Sequence, residues 1–93
     1  MKLIQHRHIF GGVQRLYYAD NGYGASVVQH SASYGFNENL WELAVIKWES
    51  SPLEDNEANF LLVYDTPITD NVIGSLTKEN VSEILKQIEE LPA

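Results

Sequence analysis

Ninety-three residues with no cysteine make one small domain that must hold its core by packing alone, with no disulfide framework and no thiolate chemistry. A net charge of −7 disfavours nucleic-acid binding through phosphate neutralisation. Residues 1–8 are too poor in apolar length for a signal peptide and no run approaches a membrane span, so a cytoplasmic protein is expected.

Residues 1–8 alternate weakly and read as an edge strand or an arm. Gly11-Gly12 marks a turn or bulge. Residues 13–19 favour a pleated surface through Val13, Leu16, Tyr17 and Tyr18. Asn21-Gly22 then signals a hairpin, because a type I′ turn needs positive φ at both central residues. With those two as the loop, Leu16 would face Val27 and Tyr17 would face Ser26 on the other side of the sheet. Residues 24–30 return as the partner strand, and 31–39 are a polar turn region carrying Tyr34 and Phe36.

Residues 40–48, LWELAVIKW, are the longest strand-like run. One face holds Trp41, Leu43 and Val45 and the other Ala44, Ile46 and Trp48, so both are apolar and a central position is expected. Residues 49–59, ESSPLEDNEAN, read as a flexible acidic loop, and 60–64 as a short fourth strand. Pro67 ends the ladder. Thr69 or Asp70 can cap a single turn over 71–73, closed by Gly74 with positive φ. Thr77 caps a real helix, on which Val81, Ile84, Leu85, Ile88 and Leu91 form one apolar stripe.

The expected architecture is α+β: a four-stranded antiparallel β-meander, five-stranded if the N-terminal arm joins, packed on one C-terminal α-helix. Residues 1–93 form a single domain. The helix stripe suits the Trp41/Leu43/Val45 face. The Ala44/Ile46/Trp48 face lacks an obvious cover and needs either a curled sheet or another chain.

Charge is uneven. Residues 1–48 sum to +1 and residues 49–93 to −8, the latter carrying ten acids against Lys78 and Lys86. Glu54, Asp55, Glu57, Glu79 and Glu83 are candidates for an acidic surface that draws in a basic partner, against the simpler reading of a solvated face. Ile46, Trp48, Tyr17, Tyr34 and Phe36 are candidates for a protein–protein interface, since the aromatics outnumber what one helix can cover. Their simpler role is to fill the second face of the sheet.

His6 and His8 share one face of an extended strand and could ligate a metal with His30 or Asp65 as third ligand. Exposed, unligated histidines are the simpler reading. Asp65 and Asp70 flank Pro67 and could hold Mg²⁺ or act as an acid/base pair, though Asp and Thr side chains also cap turns in this way. No serine has a His/Asp partner set, and no glycine-rich loop has phosphate-cradle spacing. No cofactor is expected.

NGYGASVVQHSASYG at 21–35, LWELAVIKW at 40–48 and YDTPITDNVIGSLT at 64–77 resemble small uncharacterised proteins encoded by tailed phages and prophages. The resemblance runs from Phe10 to the last helix. It implies a phage origin and a role in the cytoplasm of the infected cell, and it carries over no catalytic residue. Family members look shorter between the third and fourth strands, which marks SSPLEDNEAN as a variable loop.

The leading expectation is a non-enzymatic accessory protein that binds a protein partner from the host, or a second copy through Ile46 and Trp48. One form is inhibition of a host defence or nucleic-acid enzyme, anti-CRISPR-like, with the acidic helix and the 49–59 loop imitating phosphate charge. The alternatives are a small metal-dependent hydrolase or nuclease built on His6, His8, His30 and Asp65, and a virion or assembly component.

Overall fold

A computed structural model describes residues 1–9, 11–29 and 39–93. Six strands and one helix follow in chain order: β1 (Lys2–Ile9), β2 (Gly12–Tyr18), β3 (Tyr23–Gln29), β4 (Trp41–Trp48), β5 (Phe60–Leu62), β6 (Ile73–Leu76) and α1 (Lys78–Glu89). The sheet is antiparallel, in the order β1-β2-β3-β4-β5, and β6 pairs with β4 beside β5. The α+β meander with a C-terminal helix is thus the fold of this chain, and the N-terminal arm is a full edge strand. No helix among the described residues is long and apolar enough to cross a membrane.

Strand β4 is central because both its faces are buried. Towards the helix, Trp41, Leu43 and Val45 pack with Ala25, Val27, Leu76, Val81, Ile88 and Leu91. Ile84 and Leu85 are half-buried against the same cluster, so the whole predicted stripe meets the sheet. Each such aliphatic contributes about 1.5–3 kcal/mol when fully buried. Thr77 caps the helix as its sequence predicts: its Oγ1 accepts from the Asn80 N–H at 3.1 Å, and Asn80 Oδ1 accepts from the Thr77 N–H at 3.2 Å. This is a capping box with Asn in the place usually held by Glu or Gln.

The hairpin between β2 and β3 departs from the two-residue expectation. Ala19 N–H donates to the Tyr23 carbonyl at 2.8 Å, and Gly22 N–H donates to the Ala19 carbonyl at 3.0 Å. The loop therefore has three residues, with Gly22 at φ +88° and Asn21 outside the positive-φ region that type I′ requires. The register moves by one residue: Tyr17 pairs with Ala25 and Leu16 with Ser26. A slip of one transposes every side chain to the other face. Tyr17 accordingly packs on the helix side, while Leu16 turns to the opposite face with Ile46 and Trp48.

Asn21 is free to do other work in this loop. Its Oδ1 accepts from the Tyr23 N–H at 3.0 Å, and its Nδ2 donates to the carbonyls of Ile88 at 2.8 Å and Leu91 at 2.9 Å. The hairpin tip thus supplies donors to carbonyls at the end of the helix, where the Ile88 carbonyl also accepts from the Leu91 N–H. Losing two such bonds at roughly 0.5–1.5 kcal/mol each, Asn21→Ala is expected to lower stability by about 1–3 kcal/mol. Asn21→Asp is expected to cost at least as much, because it removes the donors and adds a negative charge at a helix C-terminus. Urea unfolding of the two variants checks both, and an unchanged midpoint for Asn21→Asp contradicts the docking role.

After β5 the chain leaves β4 and then returns to it as β6. The predicted turn of helix over 71–73 is absent: Ile73–Leu76 is strand, and the residue with positive φ is Ser75 at +56°, not Gly74. Pairing of Ile73 with Leu43 and of Leu76 with Trp41 outweighs the local capping signal. Thr66 and Thr69 make the turns of this excursion. Thr66 Oγ1 accepts from the Ile68 and Thr69 N–H groups, and Thr69 Oγ1 accepts from the Asn71 N–H.

Candidate functional site

The second face of the sheet is covered by the chain itself. Ile46 is 0% exposed and Trp48 is 8% exposed, and they pack with Leu16, Ile4, Tyr18, Ala58 and Phe60. The Trp48 indole meets the Phe60 ring edge-on, with centroids 5.2 Å apart, and its Nε1–H donates to the Tyr17 carbonyl at 2.9 Å. Ile46 and Trp48 are therefore core residues and not an open interface, which corrects the expectation placed on them. Tyr17 is half-buried on the helix side. Tyr34, Phe36 and His30 lie outside the described residues.

Beside Ile4, Tyr18 and Phe60 of β1, β2 and β5, Ala58 brings cover from the 49–59 loop. The loop folds on its own hydrogen bonds and does not hang as a loose acidic tether. Asp55 Oδ2 accepts from Ser50 Oγ at 3.1 Å, Asp55 Oδ1 accepts from the Glu57 N–H at 2.9 Å, and Asp55 N–H donates to the Ser51 carbonyl at 2.9 Å. Glu49 N–H donates to the Asn59 carbonyl, which closes the base of the loop. Asp55 is thus spent on the local fold. Glu54, Glu57, Glu79 and Glu83 are exposed, but the first two ride on the loop and the last two on the helix, over opposite faces of the sheet. The five acids do not make one surface.

His6 and His8 stand on the side of β1 that pairs with Arg15 and Val13, their ring centroids 6.2 Å apart. His6 Nδ1 accepts from Arg15 Nε at 3.2 Å, and the Arg15 guanidinium lies 5.1 Å from the Trp41 ring centroid. Asp65 lies just beyond β5, at the opposite edge of the sheet. Four strand spacings put it on the order of 19 Å from β1, out of reach as a third ligand. Among the described residues no three His, Asp or Glu side chains gather as a metal site. Asp65 and Asp70 are both exposed, with the local turns made by the threonines.

The site that sequence reasoning missed is the outer edge of β5. Val63 N–H donates to the Val45 carbonyl, and Glu49 N–H to the Asn59 carbonyl, so the main-chain groups of Asn59, Leu61 and Val63 face β4. Those of Phe60, Leu62 and Tyr64 must then face away. Among the described residues nothing hydrogen-bonds to that outward row. Strand β6 joins the other end of β4 and leaves it open. The side chains beside it are apolar and uncovered: Leu61 is 60% exposed, Leu62 50% and Tyr64 47%. With Tyr23, Lys47, Val63 and Asp65 they line a shallow depression. The signal was present in the sequence as FLLVY, five strand-forming residues without a charge. Nothing in the sequence said that β6 would pair elsewhere along β4.

Comparison with protein families, with curated proteins and with solved structures finds no match to this chain.

Proposed function

We propose that this chain is a non-enzymatic accessory protein of phage origin that acts by binding another protein, and that the partner docks along the outer edge of β5. The observation that carries this reading is the open main-chain row of Phe60, Leu62 and Tyr64, bordered by exposed Leu61, Leu62 and Tyr64. Natural sheets guard an exposed edge with charges, proline, bulges or very short strands. Here the strand is short, but its apolar side chains stand in water and the nearest guards, Asp65 and Pro67, fall after the run. An edge of this kind gains from an added strand, whose backbone satisfies the open groups and whose side chains cover the leucines. Imitation of phosphate charge finds less support, because the acidic loop and the acidic helix lie over opposite faces of the sheet.

Capture from host lysate with the wild-type chain, Leu62→Pro and Leu61→Asp tests the reading. The Leu62 N–H points away from β4, so proline there removes an outward donor without breaking the inner ladder. Proteins retained by the wild type are expected to be lost, by tenfold or more, with both variants. An identical set from all three chains contradicts docking at β5.

A further inference from the structure

We infer that the segment added to β5 is an extended strand with an apolar centre and a lysine or arginine at each end, and that it comes from a different protein and not from a second copy of this chain; the inference rests on the β5 reading above. The outward groups of Phe60, Leu62 and Tyr64 are three residues in alternate positions, so they pair with a strand of about five residues. The centre of that strand meets Leu61, Leu62 and Val63, which carry no charge. Both ends meet acids. Asp65 follows the strand at one end; at the other, Glu49 lies one strand in, paired with Asn59, and Glu57 stands in the turn before it. All three carboxylates are exposed. Among the described residues two cations stand nearby: Lys47, opposite Leu61, is drawn over the Tyr23 ring, 4.4 Å from its centroid, and Arg7, which shares a depression with Asn59 and Phe60, donates its Nε–H to Gln14 Oε1 at 2.7 Å. Opposite charges directly across a strand pair are favourable and like charges are not.

A second copy fits the hydrogen bonds but not the charge. A two-fold axis through Leu62 would pair Phe60 with Tyr64 and Leu61 with Val63. It would also bring Asp65 opposite the other copy's Asn59, one strand away from its Glu49. Residues 57–65 bring no lysine or arginine to either end, and each chain brings a net charge of −7. A strand with basic ends places its cations where these acids stand.

The experiment compares two labelled peptides of one design, Lys-Thr-Val-Ile-Val-Thr-Lys and Glu-Thr-Val-Ile-Val-Thr-Glu, by fluorescence anisotropy at physiological ionic strength, beside light scattering of the chain alone. The expected result is a monomer that binds the lysine peptide at least tenfold more tightly than the glutamate peptide. Leu62→Pro is expected to weaken the lysine peptide tenfold, and Asp65→Lys to narrow the preference. Lysine-peptide binding that Leu62→Pro leaves unchanged overturns the inference, as a charge effect not seated on β5. A wild-type dimer that Leu62→Pro converts to monomer overturns it too, in favour of self-pairing. Edge-dependent lysate capture with no preference between the peptides overturns the basic-ended partner while leaving docking at β5 in place.

Discussion

Trp48→Ala is expected to destabilise the domain by about 3–5 kcal/mol, the range for removing a buried aromatic. That is a large share of the roughly 5–15 kcal/mol that holds a domain of this size. Three losses combine. The indole leaves a cavity between Ile46, Leu16 and Phe60; its edge-on contact with Phe60 goes; and the Tyr17 carbonyl loses a donor. The 49–59 loop and the Phe60 end of β5 rest on this cluster, so both should loosen with it. Trp48→Phe keeps most of the volume but not the N–H, and a cost of about 1 kcal/mol is expected from that bond alone. Urea unfolding followed by circular dichroism separates the two. If Trp48→Ala unfolds at the wild-type midpoint, the second cluster is not part of the core. A solvent-facing Trp48 would give the opposite pattern, with association lost and stability kept.

The two readings of Trp48 show what was legible in the sequence. Alternation in 40–48 correctly assigned Trp41, Leu43 and Val45 to one face and Ile46 and Trp48 to the other, and the helix stripe correctly found the first. The second face had no second amphipathic element to claim it, because its cover is pieced together from strand residues and the end of the 49–59 loop. Ala58 and Phe60 contribute apolar surface from the close of that loop and the start of β5, and a run of Ser, Pro, Asp and Asn hides such a role. The hairpin register was misjudged for a related reason. Asn-Gly favours a two-residue turn locally, but Asn21 is held by carbonyls at the end of α1, 67 and 70 residues further along the chain. Local propensity gives way when a distant partner satisfies the same side chain.

The candidate site was harder to see for a topological reason. FLLVY reads equally well as a buried strand or an exposed edge. Which it is depends on whether the next strand pairs beside it, and β6 pairs with β4 instead. The excursion through Thr66 and Thr69 carries the chain from β5 back to β4, with Ile68 packed against the helix-side core. One stretch of β4 therefore takes two short strands end to end, and the first is left with an open side. Both cores lie on β4, while Leu61 and Leu62 of β5 belong to neither. That separation lets the edge be altered at Leu61 and Leu62 without threatening the domain, whereas Trp48, only one strand away, cannot be.

Gly24→Ala is expected to cost about 2–4 kcal/mol, more than its single methyl group suggests. Gly24 sits in β3 opposite Ile46 on one side and Tyr18 on the other. Its φ lies outside the left-handed region, so the constraint is space and not backbone freedom. A Cβ there would run into the Tyr17 carbonyl oxygen and stand 2.7 Å from Trp48 Nε1. The first obstacle is backbone within the sheet and cannot step aside. The second can move only by giving up the indole–Tyr17 hydrogen bond. Overpacking of about 1–3 kcal/mol and a lost bond of about 1 kcal/mol give the range. Gly11 supplies the contrast: its φ is +75° and a Cβ there meets nothing within 4 Å, so Gly11→Ala should lose only about 1–2 kcal/mol of conformational preference. The mechanism is separable by a double-mutant cycle. In the Trp48→Ala background the indole obstacle and its hydrogen bond are already gone, so Gly24→Ala should cost less there, while the clash with the Tyr17 carbonyl persists. Equal costs in the two backgrounds would place the whole effect in the β2–β3 backbone and remove Trp48 as the reason for glycine at this position.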